Sequence, residues 1–172
     1  MHIISKVKLN ELPIYDFISG GAGVGKSQLI KAVYQSLLRI WRANPGPVEN
    51  PEVLIVAYTG KAAHNVGGMT AHAAFSLIIA QNDMKDLGPE ALNTHRVKLS
   101  NLKVVIIDEI SMMGGRTMTQ INRRLCQIFA TNKPFGGRSV IVLGDFNQLK
   151  PVNDGYVFSC SSKGTNRITD NM

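Results

Sequence analysis

The chain has 172 residues, 44% of them hydrophobic, and its 19 basic and 12 acidic side chains give a net charge of +7. That length suits one domain with a sizeable core, no apolar run approaches the roughly 18 residues of a membrane span, and MHIISKVKLN offers neither a signal-peptide core nor the arginines of a transit peptide. The positive balance favours a polyanionic partner without identifying one, while Cys126 and Cys160 are too few and too far apart for a zinc motif or disulfide framework and point to a reducing compartment.

Residues 1–13 carry little pattern and read as a lead-in segment, with Leu9 to Pro13 as a loop. Ile14 to Ile18 is a short apolar run that predicts a buried strand, followed by a glycine-rich turn and then apolar residues at helical spacing. Inside the turn lies G-x-x-x-x-G-K-S, from Gly20 through Gly25, Lys26 and Ser27. Gly20, Gly21, Gly23 and Gly25 free the backbone to take positive φ and bring N–H groups to phosphate oxygens, and a helix starting near Lys26 adds its positive end. Lys26 can reach the outer phosphates of a nucleoside triphosphate, and the Ser27 hydroxyl can ligate a magnesium ion, Mg2+. The candidate nucleotide contacts are Gly20, Gly21, Ala22, Gly23, Val24, Gly25, Lys26, Ser27 and Gln28. A chance glycine-rich turn is the bland alternative, but it does not account for a strand before, a helix after and every motif position filled.

Leu29, Ile30, Val33, Leu37, Ile40 and Trp41 predict an amphipathic helix that must stop before the N-P-G-P of residues 44–47. Val53 to Ala57 is a second buried strand. Beyond it come a loop at Tyr58 to Lys61, a helical turn at Ala62 to Val66, a break at Gly67-Gly68 and a helix over Thr70 to Ile79. Residues 81–100 are a polar excursion with a short helix. Val104 to Ile107, a third strand, runs into Asp108-Glu109. After Gly114-Gly115 a helix spans Arg116 to Ala130, with Met118, Ile121, Leu125, Ile128 and Phe129 inward and Arg123 and Arg124 outward. Pro134 to Gly137 turn the chain into a fourth strand, Ser139 to Leu143, which ends in Gly144-Asp145-Phe146-Asn147-Gln148. From about Asn153 the pattern fails, and residues 153–172 read as an irregular tail.

Four buried strands separated by helices predict a three-layer α/β domain with a mostly parallel sheet, whose ligands bind at the C-terminal ends of the strands. Asp108 ends such a strand and can hold magnesium, and Glu109 can accept a proton from an attacking water. Gln148, just past the fourth strand, could touch a γ-phosphate or be an ordinary loop glutamine; Asp145 could cap a turn. The segment from Thr59 to Phe75 combines Lys61, His64 and His72 with Gly67-Gly68 and Phe75. Backbone amides, hydroxyls and a lysine suit a sugar-phosphate strand and an aromatic can stack on a base, but by itself the segment reads more simply as a loop with two plain histidines and a core Phe75.

Taken together, GGAGVGKS, TGKAAHNVGGMTAH, VVIIDEISMMG and FGGRSVIVLGDFNQLKPV resemble the successive motifs of the PIF-type (petite integration frequency) DNA helicases of helicase superfamily one. The resemblance runs from about Ile14 to Val152 and implies a RecA-like P-loop NTPase fold over residues 14–152. It implies ATP hydrolysis with magnesium, five-prime to three-prime movement on single-stranded DNA, roles in DNA repair and recombination, and a nuclear or mitochondrial location. Carried across, Lys26 and Ser27 hold ATP and magnesium, Asp108 the metal and Glu109 the attacking water. Gln148 senses the γ-phosphate, and Thr59, Gly60, Lys61, Thr70 and His72 touch single-stranded DNA.

Two departures stand out: residues 1–13 hold no adenine-reading glutamine motif, and the TIHS segment appears as TAHA, with Ala71 and Ala73. The sequence stops soon after QLKPV, so it resembles a first motor domain whose sheet is incomplete at its C-terminal end. The second RecA-like domain, with its arginine fingers, would be missing or supplied separately. On this reading the 172 residues bind ATP, hydrolyse it feebly and unwind nothing alone. Two alternatives differ in class: a non-catalytic nucleotide- or nucleic-acid-binding module, and a phosphate-loop kinase of a small metabolite.

Overall fold

Alternating side chains along three strands set the architecture. In β2 (Val53–Ala57), β4 (Val104–Asp108) and β5 (Ser139–Gly144) every residue is buried, as strands covered on both faces require. Leu54, Val56, Val105, Ile107, Val140 and Val142 point to one face, and Val53, Ile55, Val104, Ile106, Ile141 and Leu143 to the other, so two separate cores flank the sheet. The computed structural model describes residues 2–41, 50–77, 85–145, 151, 155 and 157.

With β1 (Tyr15–Ser19) and the two-residue β3 (Met69–Thr70), the described strands form one parallel sheet in the order β1-β5-β4-β2-β3. The expected mostly parallel α/β sheet is therefore present. One expectation needs correction: the strand before the phosphate loop is not a buried one. It lies one residue later than expected, pairs with β5 at the edge of the described sheet, and leaves Phe17 42% exposed.

On one face lie α1 (His2–Lys8), α2 (Lys26–Trp41) and α3 (Gly60–Val66). Residues 2–8 are thus more than a lead-in: Ile3 and Val7, four apart, bury one side of α1 against this core. On the other face lie α4 (Ala71–Phe75) and α6 (Gly115–Phe129), with α5 (Pro89–Lys98), none of whose residues is buried, packed outside α6. The expected helix over Thr70 to Ile79 is shorter because Thr70 caps it and Ser76, at φ 48, ends it; Ile78 and Ile79 lie outside the described residues.

In α6 the stripe Met118, Ile121, Leu125 and Ile128 is buried as expected, while Phe129 is half-buried beneath the Arg138 guanidinium, 3.9 Å from its ring centre. Arg124 reverses its expected placement: it is 1% exposed. Cys126 is half-buried, in keeping with a boundary residue. Most of residues 153–172 lie outside the described set, but Gly155 accepts a hydrogen bond from Gly115 N–H and Val157 packs against the core.

Candidate functional site

Because the strands are parallel, their C-terminal ends gather along one rim. Ser19 is in register with Gly144, and Ala57 with both Asp108 and Thr70. Neighbouring strands lie about 4.8 Å apart, so the chain leaves β1, β5, β4 and β2 within about 15 Å, at Gly20, Asp145, Glu109 and Tyr58 respectively. Four of the sequence motifs therefore open on the same edge.

The glycine-rich loop crosses from β1 to α2, its first amide, Gly20 N–H, bonded to the Gly144 carbonyl at 3.1 Å. Only Gly23 (φ 74) and Gly25 (φ 92) use the left-handed freedom expected of all four glycines. Gly20 serves close approach instead, since a Cβ there would lie 3.0 Å from Val24. Residues 21–25 are exposed, leaving the loop accessible to a ligand. Lys26 folds back over it, Nζ donating to the carbonyls of Gly20 (2.5 Å) and Gly21 (2.7 Å).

Asp108 is 5% exposed, and its Oδ1 accepts the Glu109 N–H at 2.9 Å. Burial pushes its carboxyl above the ordinary carboxylate range; the Glu109 charge adds to the rise, while the Glu109 N–H bond and the Lys26 ammonium oppose it. Glu109 takes a left-handed conformation (φ 57, ψ 50), and its Oε1 accepts the Ser111 hydroxyl at 3.2 Å. Gly144 makes room for this turn, because a Cβ there would lie 2.7 Å from Ile110 Cγ2.

Among the described residues no group of three His, Cys, Asp or Glu side chains could hold a metal ion by itself. Magnesium on a nucleotide takes one or two protein oxygens with phosphates and water, so Ser27 and Asp108 match its oxygen preference. The raised Asp108 pKa has a consequence for stability. The folded state keeps this proton to a higher pH than the unfolded chain, so stability falls as pH rises through the interval between the two values. Asp108→Asn, which can still accept the Glu109 N–H, is expected to flatten that fall. It should raise the melting temperature at neutral pH by a few degrees. Thermal unfolding from acidic to neutral pH without magnesium is the measurement; a lower melting temperature at pH 7 would contradict it.

Along the same rim, Thr59 and Thr70 are helix N-caps whose side-chain oxygens accept the amides of Ala62 (3.3 Å) and Ala73 (3.2 Å). Gly60 and Lys61 are exposed. His72 is half-buried with its ring edge-on to Tyr58, 5.5 Å between centres, and burial lowers its pKa, which favours the neutral form at pH 7. Phe75 is fully buried, which withdraws its ring from any base. Gln148 lies outside the described residues. Sequence reasoning missed Arg124, although a signal existed: it is three residues after Ile121 and four before Ile128, on the apolar side of the helix.

The family model described as "PIF1-like helicase" matches residues 1–158. Over 138 residues the chain is 33% identical to the "ATP-dependent DNA helicase PIF1" of Candida albicans, and over 139 residues 40% identical to the "ATP-dependent DNA helicase Pif1" of Bdellovibrio bacteriovorus. Each match covers 79% of this chain but only 14% and 29% of those relatives, so the chain spans under a third of either. The crystal structure of a Bacteroides Pif1 helicase in complex with ADP-AlF3 and single-stranded DNA superposes with a TM-score of 0.62 at 28% identity, covering 89% of this chain and 34% of that one.

Proposed function

This chain belongs to the PIF1-like helicase family, and from that premise we propose that residues 14–152 are the ATP-binding and hydrolysing first motor domain of a DNA helicase that moves five-prime to three-prime on a single strand. The observation that carries this reading is the shared rim: the phosphate loop, the Asp108–Glu109 pair and the segment from Thr59 to His72 all leave the sheet on one edge. Lys26 exchanges the carbonyls of Gly20 and Gly21 for phosphate oxygens when ATP binds. Glu109 accepts the proton of the attacking water. Ser27 and Asp108 hold magnesium, which when bound offsets charge on the phosphates. Gln148, by its place after β5, links the γ-phosphate to the grip on DNA.

Thr59, Gly60, Lys61, Thr70 and His72 contact the sugar-phosphate strand in this proposal. Lys61 supplies charge and His72 a neutral hydrogen-bonding ring. A second RecA-like domain, in the same or a separate polypeptide, provides the arginine fingers, and the work is done in a DNA-containing compartment such as nucleus or mitochondrion. Among the described residues no helix is long and apolar enough to cross a membrane, and the reading involves none.

The test is ATP turnover by the purified 172 residues with and without single-stranded oligonucleotide. We expect slow hydrolysis that DNA accelerates, and for Glu109→Gln a loss of about a hundredfold or more with ATP affinity kept. No strand separation is expected on a duplex with a five-prime tail. Arginine fingers supply on the order of a thousandfold in rate, and translocation needs two domains closing on each other. Turnover unchanged in Glu109→Gln overturns the assignment of the base. ATP binding without any turnover would leave a nucleotide-binding module, and phosphate transferred to a small metabolite would make it a kinase.

A further inference from the structure

Arg124 is the largest fully buried side chain among the described residues, and its hydrogen bonds go to neutral oxygens, with the Asp86 carboxylate near enough to favour its charged form. Nε donates to the carbonyl of Phe75 at 3.0 Å, and Nη2 to those of Ser76 and Lys85 at 3.3 Å each. Nη1 donates to Gln127 Oε1 at 2.6 Å. Gln127 in turn brackets Leu87, accepting its N–H at 3.2 Å and donating Nε2 to its carbonyl at 3.3 Å. One turn of α6 thus holds the chain where it leaves α4 and again where it returns at 85–87.

What it holds is marginal by itself. α4 has five residues, too few to persist as an isolated helix. Its C-cap, Ser76, is a non-glycine residue at φ 48, with its hydroxyl against His95 Nε2 at 3.0 Å. Apolar packing of Ala71, Ala74 and Phe75 fixes the depth of α4 but not its rotation or slide, because dispersion contacts are non-directional. A fork of guanidinium donors on two successive carbonyls fixes both. The helix so fixed carries Thr70 as its cap and His72 in its first turn.

We propose that Arg124 is the positioning residue of the single-strand contact. By clamping Phe75 and Ser76 to α6 it holds α4 in the orientation that presents Thr70 and His72 to a nucleic-acid backbone. Pre-ordering these groups lowers the entropy lost when the strand binds. α6 starts at Gly115, shortly after Glu109, so the clamp also ties this contact to the element that follows the catalytic candidates. The inference rests on the helicase reading for the identity of the ligand.

The test compares wild type, Arg124→Met, Arg124→Lys and Arg123→Ala, all well below their melting temperatures. Affinity for a fluorescent single-stranded oligonucleotide is measured by anisotropy and affinity for a non-hydrolysable ATP analogue with magnesium by calorimetry. Exchange of the Ser76 and Leu77 amides, both bonded to the His72 carbonyl, is followed by hydrogen exchange. Arg124→Met is expected to weaken oligonucleotide binding tenfold or more, speed exchange at both amides, and leave ATP affinity within about twofold. Arg124→Lys, charged but unable to fork, should fall between. Arg123→Ala, which loses only an exposed pair with Asp86 at 3.1 Å, should match wild type.

A lower melting temperature with oligonucleotide affinity unchanged makes Arg124 merely structural and overturns the proposal. So does a parallel loss of both affinities. If Arg124→Met does not fold, Arg124→Lys decides by the same comparison, and wild-type affinity for the oligonucleotide refutes it. A wild type that binds no single strand refutes the helicase reading and this inference with it, and that outcome is read from the wild type alone.

Discussion

Lys26→Ala is expected to weaken magnesium–ATP binding by about one to two orders of magnitude, with little change in the fold. Charge-assisted hydrogen bonds contribute about 1.5–3 kcal/mol, and every 1.4 kcal/mol is about tenfold in affinity. The lysine is not idle before nucleotide arrives, since its Nζ sits on the carbonyls of Gly20 and Gly21. Those contacts lie in a loop open to water, so losing them costs the folded chain little, whereas the phosphate contacts have no replacement. Calorimetry with a non-hydrolysable analogue separates the two, and equal affinities in wild type and variant would remove the phosphate-loop assignment.

A large stability effect is expected at Gly68. A Cβ there would lie 2.4 Å from the carbonyl oxygen of Ile55 and 2.9 Å from its carbon, both backbone atoms of the fully buried β2. A side-chain tip could swing aside, but this carbonyl cannot move without disturbing the sheet. Gly68→Ala is therefore expected to cost about 3 kcal/mol, the upper range of overpacking, and to lower the melting temperature by about 6–12 °C at this chain length. Gly60→Ala is the control, because nothing lies within 4 Å of a Cβ there and alanine suits the first turn of α3. Equal melting temperatures for the two variants would show that the approach of Gly68 to Ile55 is not tight in solution. The same strain would displace Met69 and Thr70, which pair with β2 immediately afterwards.

What the sequence made legible, and what it hid, follows from how many physical causes produced each pattern. Val53 to Ala57 was readable to the residue, because a strand covered on both faces must be apolar throughout. The turn from β1 into α2 was readable because four glycines at positions 20, 21, 23 and 25 oppose both strand and helix. β3 was not, since two residues carry no period. Ile14 to Ile18 is apolar apart from Asp16, and because an edge strand needs only one covered face, apolar content alone does not tell it from a buried one. Residue type points Arg124 outward, whereas its position between Ile121 and Ile128 puts it inside. The left-handed backbone of Glu109 had no signal at all, because glutamate seldom adopts it and the surrounding turn enforces it. For Phe75 the core explanation and the base-stacking one share a single sequence signal, and burial separates them.

The two faces of the sheet have a further consequence, for how the chain can vary. The residues of one face and those of the other form separate clusters with the backbone of β2, β4 and β5 between them. Side chains that share no neighbour change stability additively, so each face can be rebuilt by successive substitutions without matching changes on the other. α2 and α3 rest on one face, α4 and α6 on the other. The half bearing the glycine-rich loop and the half bearing His72 thus stand on foundations that diverge separately, and they share one register through the paired strands between them, which at the rim sets Ala57 beside Thr70 and Asp108 and Ser19 beside Gly144. Variation is least free in those strands, and drift in one foundation reaches the other half by tilting them.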